Sequence, residues 1–317
     1  MRHPFRWLLN LRKKEPGLKT IRELARELDV SRLMGDEETP LHFDPRDFRT
    51  EDWPARLFGY YSAEGVRYAL EELGVFRLIE ARGFTDFRVS ISGDAWRQLL
   101  RIHGRAKGEN HLVSEGRFRR MPWTVPDEAY LLKSACRERA YDVAFIDWLT
   151  LQNPLAEFSP DRPRLPGQDH PGLGILHEVM EVFYAVANRL KLDAYLASAD
   201  HFHNAAIYTP SFFFVDPQRQ AELDAIRRAG EGRSLQDMAL AMEGGHLYRR
   251  DRAEAYEWRG DLMINPLAHE LQEAHRRLGY AERVEDMAGN MEFFFDWPAF
   301  DKSRPALMAE VFGEGTE

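Results

Sequence analysis

The spacing of apolar residues divides the chain into a helical first part, a strand-rich middle and a largely helical last part. Residues 18–35 and 62–83 repeat apolar side chains every three or four positions, which predicts helices. Residues 86–92 and 111–120 instead alternate apolar and polar side chains, which predicts two strands. We expect a helix over 94–104 between these strands.

The middle of the chain then becomes more apolar. Residues 142–152, "DVAFIDWLTLQ", suit a strand at the centre of a sheet. Five prolines fall within residues 153–171, so this stretch is predicted to be a long ordered loop, a feature that is usually functional in a compact domain. The pattern next predicts a helix over 174–190, a strand over 192–199, a short helix over 201–208 and a strand over 211–216.

These elements predict an α/β protein with three regions. A mixed sheet flanked by helices forms a core over 81–216, a helical region covers 1–80, and a mainly helical extension covers 217–317. A polar connector is expected at 36–54. The aromatic run at 291–300 is predicted either to cover a sheet edge or to form a homodimer contact.

Composition narrows the class of protein. The chain has 317 residues, of which 44% are hydrophobic, so it can bury a large core. A net charge of −9 argues against nucleic acid as a partner, because phosphate binding depends on a basic surface. Cys136 is the single cysteine, which excludes an internal disulfide and fits a cytoplasmic location.

The first residues invert this charge balance. Residues 1–14 combine five arginines and lysines with leucines, Phe5 and Trp7. Two interpretations stay open: a helix docked on the body of the protein, or a weak peripheral contact with an anionic membrane surface.

A pair of glycines stands directly before the helix predicted at 174–190. Gly172 and Gly174 leave the backbone without side chains where the amides of the first helical turn lack partners. Such amides, together with the helix dipole, favour an anion. The stretch therefore indicates a phosphate cradle, while the alternative is a loop turn beside the prolines.

The order strand, glycine turn, amphipathic helix, strand, short helix and aromatic strand resembles the GNAT superfamily of N-acyltransferases over about residues 142–216. Its diphosphate loop carries Arg or Gln, two residues, Gly, one residue, and Gly or Ala. Gly172 and Gly174 match the glycines, whereas Asp169 stands where the family prefers Arg or Gln, and Gln168 lies one place early.

A second family pattern places Asn, Ala and Tyr on a short helix, followed by Gly-Phe at the start of a strand. Tyr208 and Phe213 match it, Phe212 replaces the glycine, and Asn204 is slightly out of step.

This resemblance implies the transfer of an acyl group from an acyl-CoA-type thioester to an amine, on a small molecule or a protein. It implies that the carrier's diphosphate binds Gly172, Leu173, Gly174 and Ile175, with Gln168 nearby. Tyr208 would protonate the departing thiolate, as a phenol near the sulfur can. His201, His203 or Glu178 would accept the proton of the amine, and no metal is expected.

A rival interpretation is a metal-dependent enzyme. His201 and His203 lie two residues apart, and His177 and Glu181 share a helix face one strand earlier. With Glu178 they offer the nitrogen and oxygen ligands that zinc or iron takes. The spacing HExxH is absent, and a helix at 201–208 would point the two histidines in different directions.

A third interpretation is a catalytically silent module that binds a nucleotide or a protein. The acidic helices predicted within 218–245 and 268–287 would then be partner surfaces, although solvated faces of core helices have the same composition.

Overall fold

A computed structural model shows an α/β protein with a mostly antiparallel, seven-stranded mixed sheet flanked by helices. It describes residues 20–35, 55–94, 96–136, 138–159, 164–277 and 279–312. The membrane contact predicted for residues 1–14 and the connector predicted at 36–54 lie outside these ranges.

Four short helices open the described chain: α1 (Ile21–Glu27), α2 (Val30–Met34), α3 (Ala63–Glu72) and α4 (Val75–Glu80). The helix predicted over 18–35 is thus two helices, because Asp29 Oδ1 accepts the Ser31 amide at 2.9 Å and starts α2 anew. Gly74, at φ +75°, separates α3 from α4. Both helical predictions are confirmed, each with one break.

The strands are β1 (Thr85–Gly93), β2 (Gln98–Ala106), β3 (Glu109–Trp123), β4 (Tyr141–Leu151), β5 (Ala194–Ser198), β6 (Phe213–Phe214), β7 (Leu247–Arg249), β8 (Leu262–Pro266) and β9 (Phe293–Phe295). The large sheet has the order β1-β2-β3-β4-β5-β8-β6. β4 and β5 are parallel, and all other neighbouring pairs are antiparallel.

The helix predicted over 94–104 is wrong, since β2 covers most of it. Asp94 Oδ1 accepts the amides of Trp96 and Arg97 at 2.8 and 2.7 Å, as a helix cap would, but here it closes the β1–β2 turn. From Ile102 onward every second residue is buried, the period of a strand paired with β3.

The later helices are α5 (Tyr130–Ala135), α6 (Leu176–Leu190), α7 (Phe202–Tyr208), α8 (Pro217–Ala229), α9 (Leu235–Glu243), α10 (His269–Arg277), α11 (Tyr280–Gly289) and α12 (Trp297–Phe312), with a 3₁₀ turn at Asp127–Ala129.

β8 comes from beyond residue 216 but lies between β5 and β6. The boundary predicted between the core and the carboxy-terminal extension, at residue 216, would therefore separate β8 from the sheet to which it belongs. Within the aromatic run, β9 pairs with β7 in a separate two-stranded sheet.

The central strands are buried on both faces, as their apolar sequence predicts. Val143 and Leu196 pack beside α5 and α10, while Ala144 and Tyr195 face the larger core beside α3, α4 and α6. Among the described residues, no helix has both the length and the apolar character needed to cross a membrane.

Candidate functional site

The two parallel strands part before they end. The pairing between the two strands is short: it joins residues 143–146 of β4 to residues 194–197 of β5. β4 runs on to Leu151 beside β3, whereas β5 keeps its pairing with β8. β4 therefore extends five residues beyond its last pair with β5, and this stretch lies at the carboxyl edge of two parallel strands, the edge at which open α/β sheets bind ligands.

An extra residue in β4 marks the point of separation. Phe118 pairs with Ile146 and Arg117 pairs with Trp148, so Asp147 has no partner on β3 and forms a β-bulge. The Asp147 carboxylate accepts Nε of Arg119 at 2.8 Å and Nη2 at 2.5 Å. The bulge bends β4, and the paired side chains fix it on the outer face of the sheet.

The glycine segment docks against the far end of β4. Leu173 N donates to Leu151 O at 3.1 Å, and Asn153 N donates to Pro171 O at 2.7 Å. Gln152 and Gly172 form the bridge between these two bonds. In such a pair the central residues point their own amides away from each other, so the Gly172 N–H faces away from β4.

The backbone from Gly172 to the start of α6 presents amide donors. In the described part of the chain, the amides of Gly172, Gly174 and Ile175 meet no protein acceptor. Gly174 has φ +69°, which favours glycine. α6 begins without a side-chain cap, unlike α3, α8 and α9, each of which has a Ser or Asp cap. This segment can donate several hydrogen bonds to an anion.

Leu173 does not belong to this donor set, which corrects its predicted role. Its amide is used by Leu151, and its side chain is buried. Alternation explains the difference: the glycines at 172 and 174 are exposed, while Leu173 and Ile175 point into the core.

Arg82 brings a positive charge to the same segment. Its Nε donates to Leu173 O at 3.0 Å, and its Nη1 donates to Leu78 O at 2.8 Å. A methyl group built on Gly174 would lie 3.8 Å from Arg82 Nη2, and this nitrogen meets no acceptor in the described ranges. The guanidinium is thus held beside Gly174 with one nitrogen available to a ligand.

Gln168 holds the long loop rather than pointing to the donors. Its Oε1 accepts the Leu165 amide at 3.1 Å, and its carbonyl accepts Arg164 Nε at 2.6 Å. Gln236 of α9 donates to the Arg164 carbonyl at 2.5 Å and anchors the loop further. The side chain of Gln168 is therefore committed to a turn, and Asp169 beside it is exposed.

Tyr208 lies near the carboxyl end of β5, on α7. Burial raises the pKa of its phenol, and the negative charge of Asp200, two residues beyond β5, raises it further. Its hydroxyl makes no hydrogen bond within the described residues. Asp200 accepts the Ser198 hydroxyl at 2.6 Å. Tyr208 is therefore protonated at neutral pH and has a proton to give.

The two predicted histidines stack but differ in environment. Their rings are 5.2 Å apart and nearly parallel. His201 is partly exposed, with its Nδ1 3.5 Å from Glu243 Oε1. His203 is buried, and its pKa falls to about 4 through desolvation and the proximity of His201. Burial thus makes protonation of His203 costly, while His201 is more exposed; the base role of either histidine stays a prediction.

The helix residues of the rival metal site are not gathered around these histidines. Glu181 instead binds Arg22 through two hydrogen bonds of 2.6 and 2.8 Å. His177 is exposed, and Glu178 is half-buried in the first turn of α6. Among the described residues, no three His, Cys, Asp or Glu side chains lie close enough together to hold a metal ion.

Two residues at this site escaped the sequence analysis. Arg82 follows α4, about ninety residues before the segment that it contacts, and no spacing rule links the two. Asp200 lies two residues after the buried strand β5, and its place just beyond that apolar stretch is the signal from which it could have been predicted.

Comparison of the chain with models of protein families, with curated proteins and with solved structures found no match. The function is therefore argued from the carboxyl edge of β4 and β5.

His203 makes stability depend on pH. Because its folded pKa is about 4 against 6.5 in the unfolded chain, the unfolded state binds more protons between these values, and stability falls as pH falls from 6.5 to 4. The loss attributable to His203 is about 3 kcal/mol. Urea unfolding at pH 7 and pH 4 should therefore show a smaller loss for His203→Gln than for the wild type. His201→Gln should show an intermediate loss, because it removes one of the two causes that lower the pKa of His203. Equal losses in the wild type and in His203→Gln would contradict the assignment.

Proposed function

We propose that the protein transfers an acyl group from an acyl-CoA-type thioester to an amine. The observation that carries this proposal is the uncapped, glycine-led start of α6 beside Arg82, at the carboxyl edge of two parallel strands. Amide donors and a guanidinium together suit the diphosphate of such a carrier.

The order of elements supports the GNAT resemblance. β4, the glycine segment, α6, β5, α7 and β6 follow one another along the chain as the six parts of that pattern do. Tyr208 lies at the end of α7, and Phe213 begins β6. The parallel pairing of β4 with β5 brings the glycine segment and Tyr208 to the same edge of the sheet.

The carrier would be bound by backbone and by charge. The amides of Gly172, Gly174 and Ile175 would donate to the diphosphate, and Arg82 Nη2 would offset its charge. Asp169, which replaces a basic or amide residue of the family pattern, repels an anion, but it is exposed to solvent, where such repulsion is screened. Arg82 would thus supply a positive charge in place of the Arg or Gln that the family pattern has where Asp169 stands.

The reaction joins the amine nitrogen to the thioester carbonyl carbon and breaks the carbon–sulfur bond. Tyr208 would donate its proton to the departing sulfur. Burial and Asp200 raise the pKa of its phenol, so it is protonated at neutral pH but is a weaker acid than a free tyrosine. The proton of the attacking amine would pass to His201 or Glu178. His201 has Glu243 beside it to stabilise the charged imidazolium that results.

The carrier-binding step predicts that coenzyme A raises the melting temperature of the protein, with about 2.7 kcal/mol of stabilisation at 100 times Kd. Pantetheine, which lacks the diphosphate, should not. Arg82→Gln should weaken coenzyme A binding about 10- to 100-fold, because a charged hydrogen-bond donor is lost.

Arg77→Gln is the matched control, since Arg77 is an exposed arginine of α4, the helix that Arg82 follows. It should bind coenzyme A like the wild type. If Arg82→Gln bound coenzyme A as tightly as Arg77→Gln does, the diphosphate would not bind beside Arg82.

The chemical step is tested at Tyr208. Tyr208→Phe should lower kcat about 100-fold by removing the general acid while leaving the Kd of the carrier unchanged. The measurement is chromatographic detection of free coenzyme A from a series of acyl-CoA thioesters offered with a panel of amines. Tyr184→Phe is a control, because that hydroxyl accepts from Asn265 away from α7. Equal turnover in wild type and Tyr208→Phe would rule out the acid role.

A further inference from the structure

An apolar cavity of about 90 Å³ lies between the sheet and helices α3, α4 and α6. Its wall comes from aliphatic and aromatic side chains of these helices and of β2, β3 and β4. Among the described residues of that wall, Ser114 and Tyr61 are the two whose side chains carry a polar atom. Protein interiors rarely leave voids larger than a water molecule, and apolar cavities of this kind stay dry and bind apolar molecules.

The cavity shares a wall with the donor segment. Leu173 and Ile175 line it, while the alternating Gly172 and Gly174 are exposed on the other side of the same backbone. The donors and the cavity are thus separated by a single segment of chain.

The cavity also borders the end of β4. Leu149 and Leu151 line it, and both belong to the part of β4 that lies beyond the bulge and has parted from β5. The pantetheine arm that joins the diphosphate to the thioester is about 16 Å long when extended, so it would fold back along the end of β4 to place the acyl group in the cavity.

The dimensions indicate the length of the acyl group. Along α6 the lining runs from Val179 to Val186, which is about 10 Å at the rise of an α-helix. An extended chain advances about 1.2 Å per bond, since three backbone bonds span about 3.6 Å. The lining along α6 therefore matches the length of roughly eight carbons.

We propose that this cavity binds the acyl chain of the donor, so that the substrate is a medium-chain or longer acyl thioester rather than an acetyl thioester. This inference rests on the proposed acyltransferase function. The buried apolar wall provides the affinity for the chain, and the glycine segment fixes the carrier end.

The test is the affinity of the full chain for coenzyme A thioesters of increasing acyl length. Each further buried methylene should tighten binding about fourfold until the cavity is full. Octanoyl-CoA should thus bind at least about 100-fold more tightly than acetyl-CoA. Isothermal titration calorimetry gives both constants.

Variants of the cavity wall test whether the octanoyl-CoA preference arises in this cavity. Val179→Phe, which narrows the cavity, should remove at least about tenfold of the octanoyl-CoA preference, whereas Met180→Phe, on the same turn but outside the lining, should keep it. Ala69→Leu fills the cavity from α3 with a smaller change and should also reduce the preference, so the test stands if Val179→Phe fails to fold.

The outcomes separate the two proposals. Equal affinity for coenzyme A, acetyl-CoA and octanoyl-CoA would overturn the acyl cavity and leave the carrier site intact. An octanoyl preference that survives both Val179→Phe and Ala69→Leu would place the chain elsewhere and overturn the inference. Absence of binding by every one of these compounds would overturn the proposed function, and the inference with it.

Discussion

The separation of β4 from β5 is the constraint on which the rest of the site depends. Two parallel strands that stayed paired to their ends would leave no space between their carboxyl ends. Asp147 adds one residue to β4 that β3 does not match, and Arg119 holds its carboxylate on the outer face. β4 keeps its bonds to β3 beyond Ile146, where its pairing with β5 ends, so this part of β4 is paired with a strand on one side only.

The end of β4 also positions the elements next to it. The glycine segment bonds to the end of β4 through the Leu173 amide, and this bond leaves the alternate amides of Gly172 and Gly174 facing away. The same alternation turns Leu173 and Ile175 into the apolar cavity. One short segment thus presents polar donors on one side and an apolar wall on the other.

The sequence predicted the order of elements well where periodicity was strong. α6, β4 and β5 were placed from their apolar patterns, and Gly174 was correctly placed at the start of α6. β2 was mistaken for a helix because Asp94 has the same local chemistry in a turn as at a helix cap. The contact of Arg82 with Leu173 depends on tertiary packing, which a local pattern does not encode. The hydrogen bond from the Leu173 amide to Leu151 O could not be predicted for the same reason.

The account depends most on the claim that the backbone amides at the start of α6 bind a diphosphate. Amide resonances of protein labelled with ¹⁵N-glycine and ¹⁵N-leucine test it directly when coenzyme A is added. The account predicts that Gly172 and Gly174 shift, while Leu173, already bonded to Leu151, stays protected from hydrogen exchange with and without ligand. Unchanged Gly172 and Gly174 resonances under conditions in which coenzyme A is bound would contradict it.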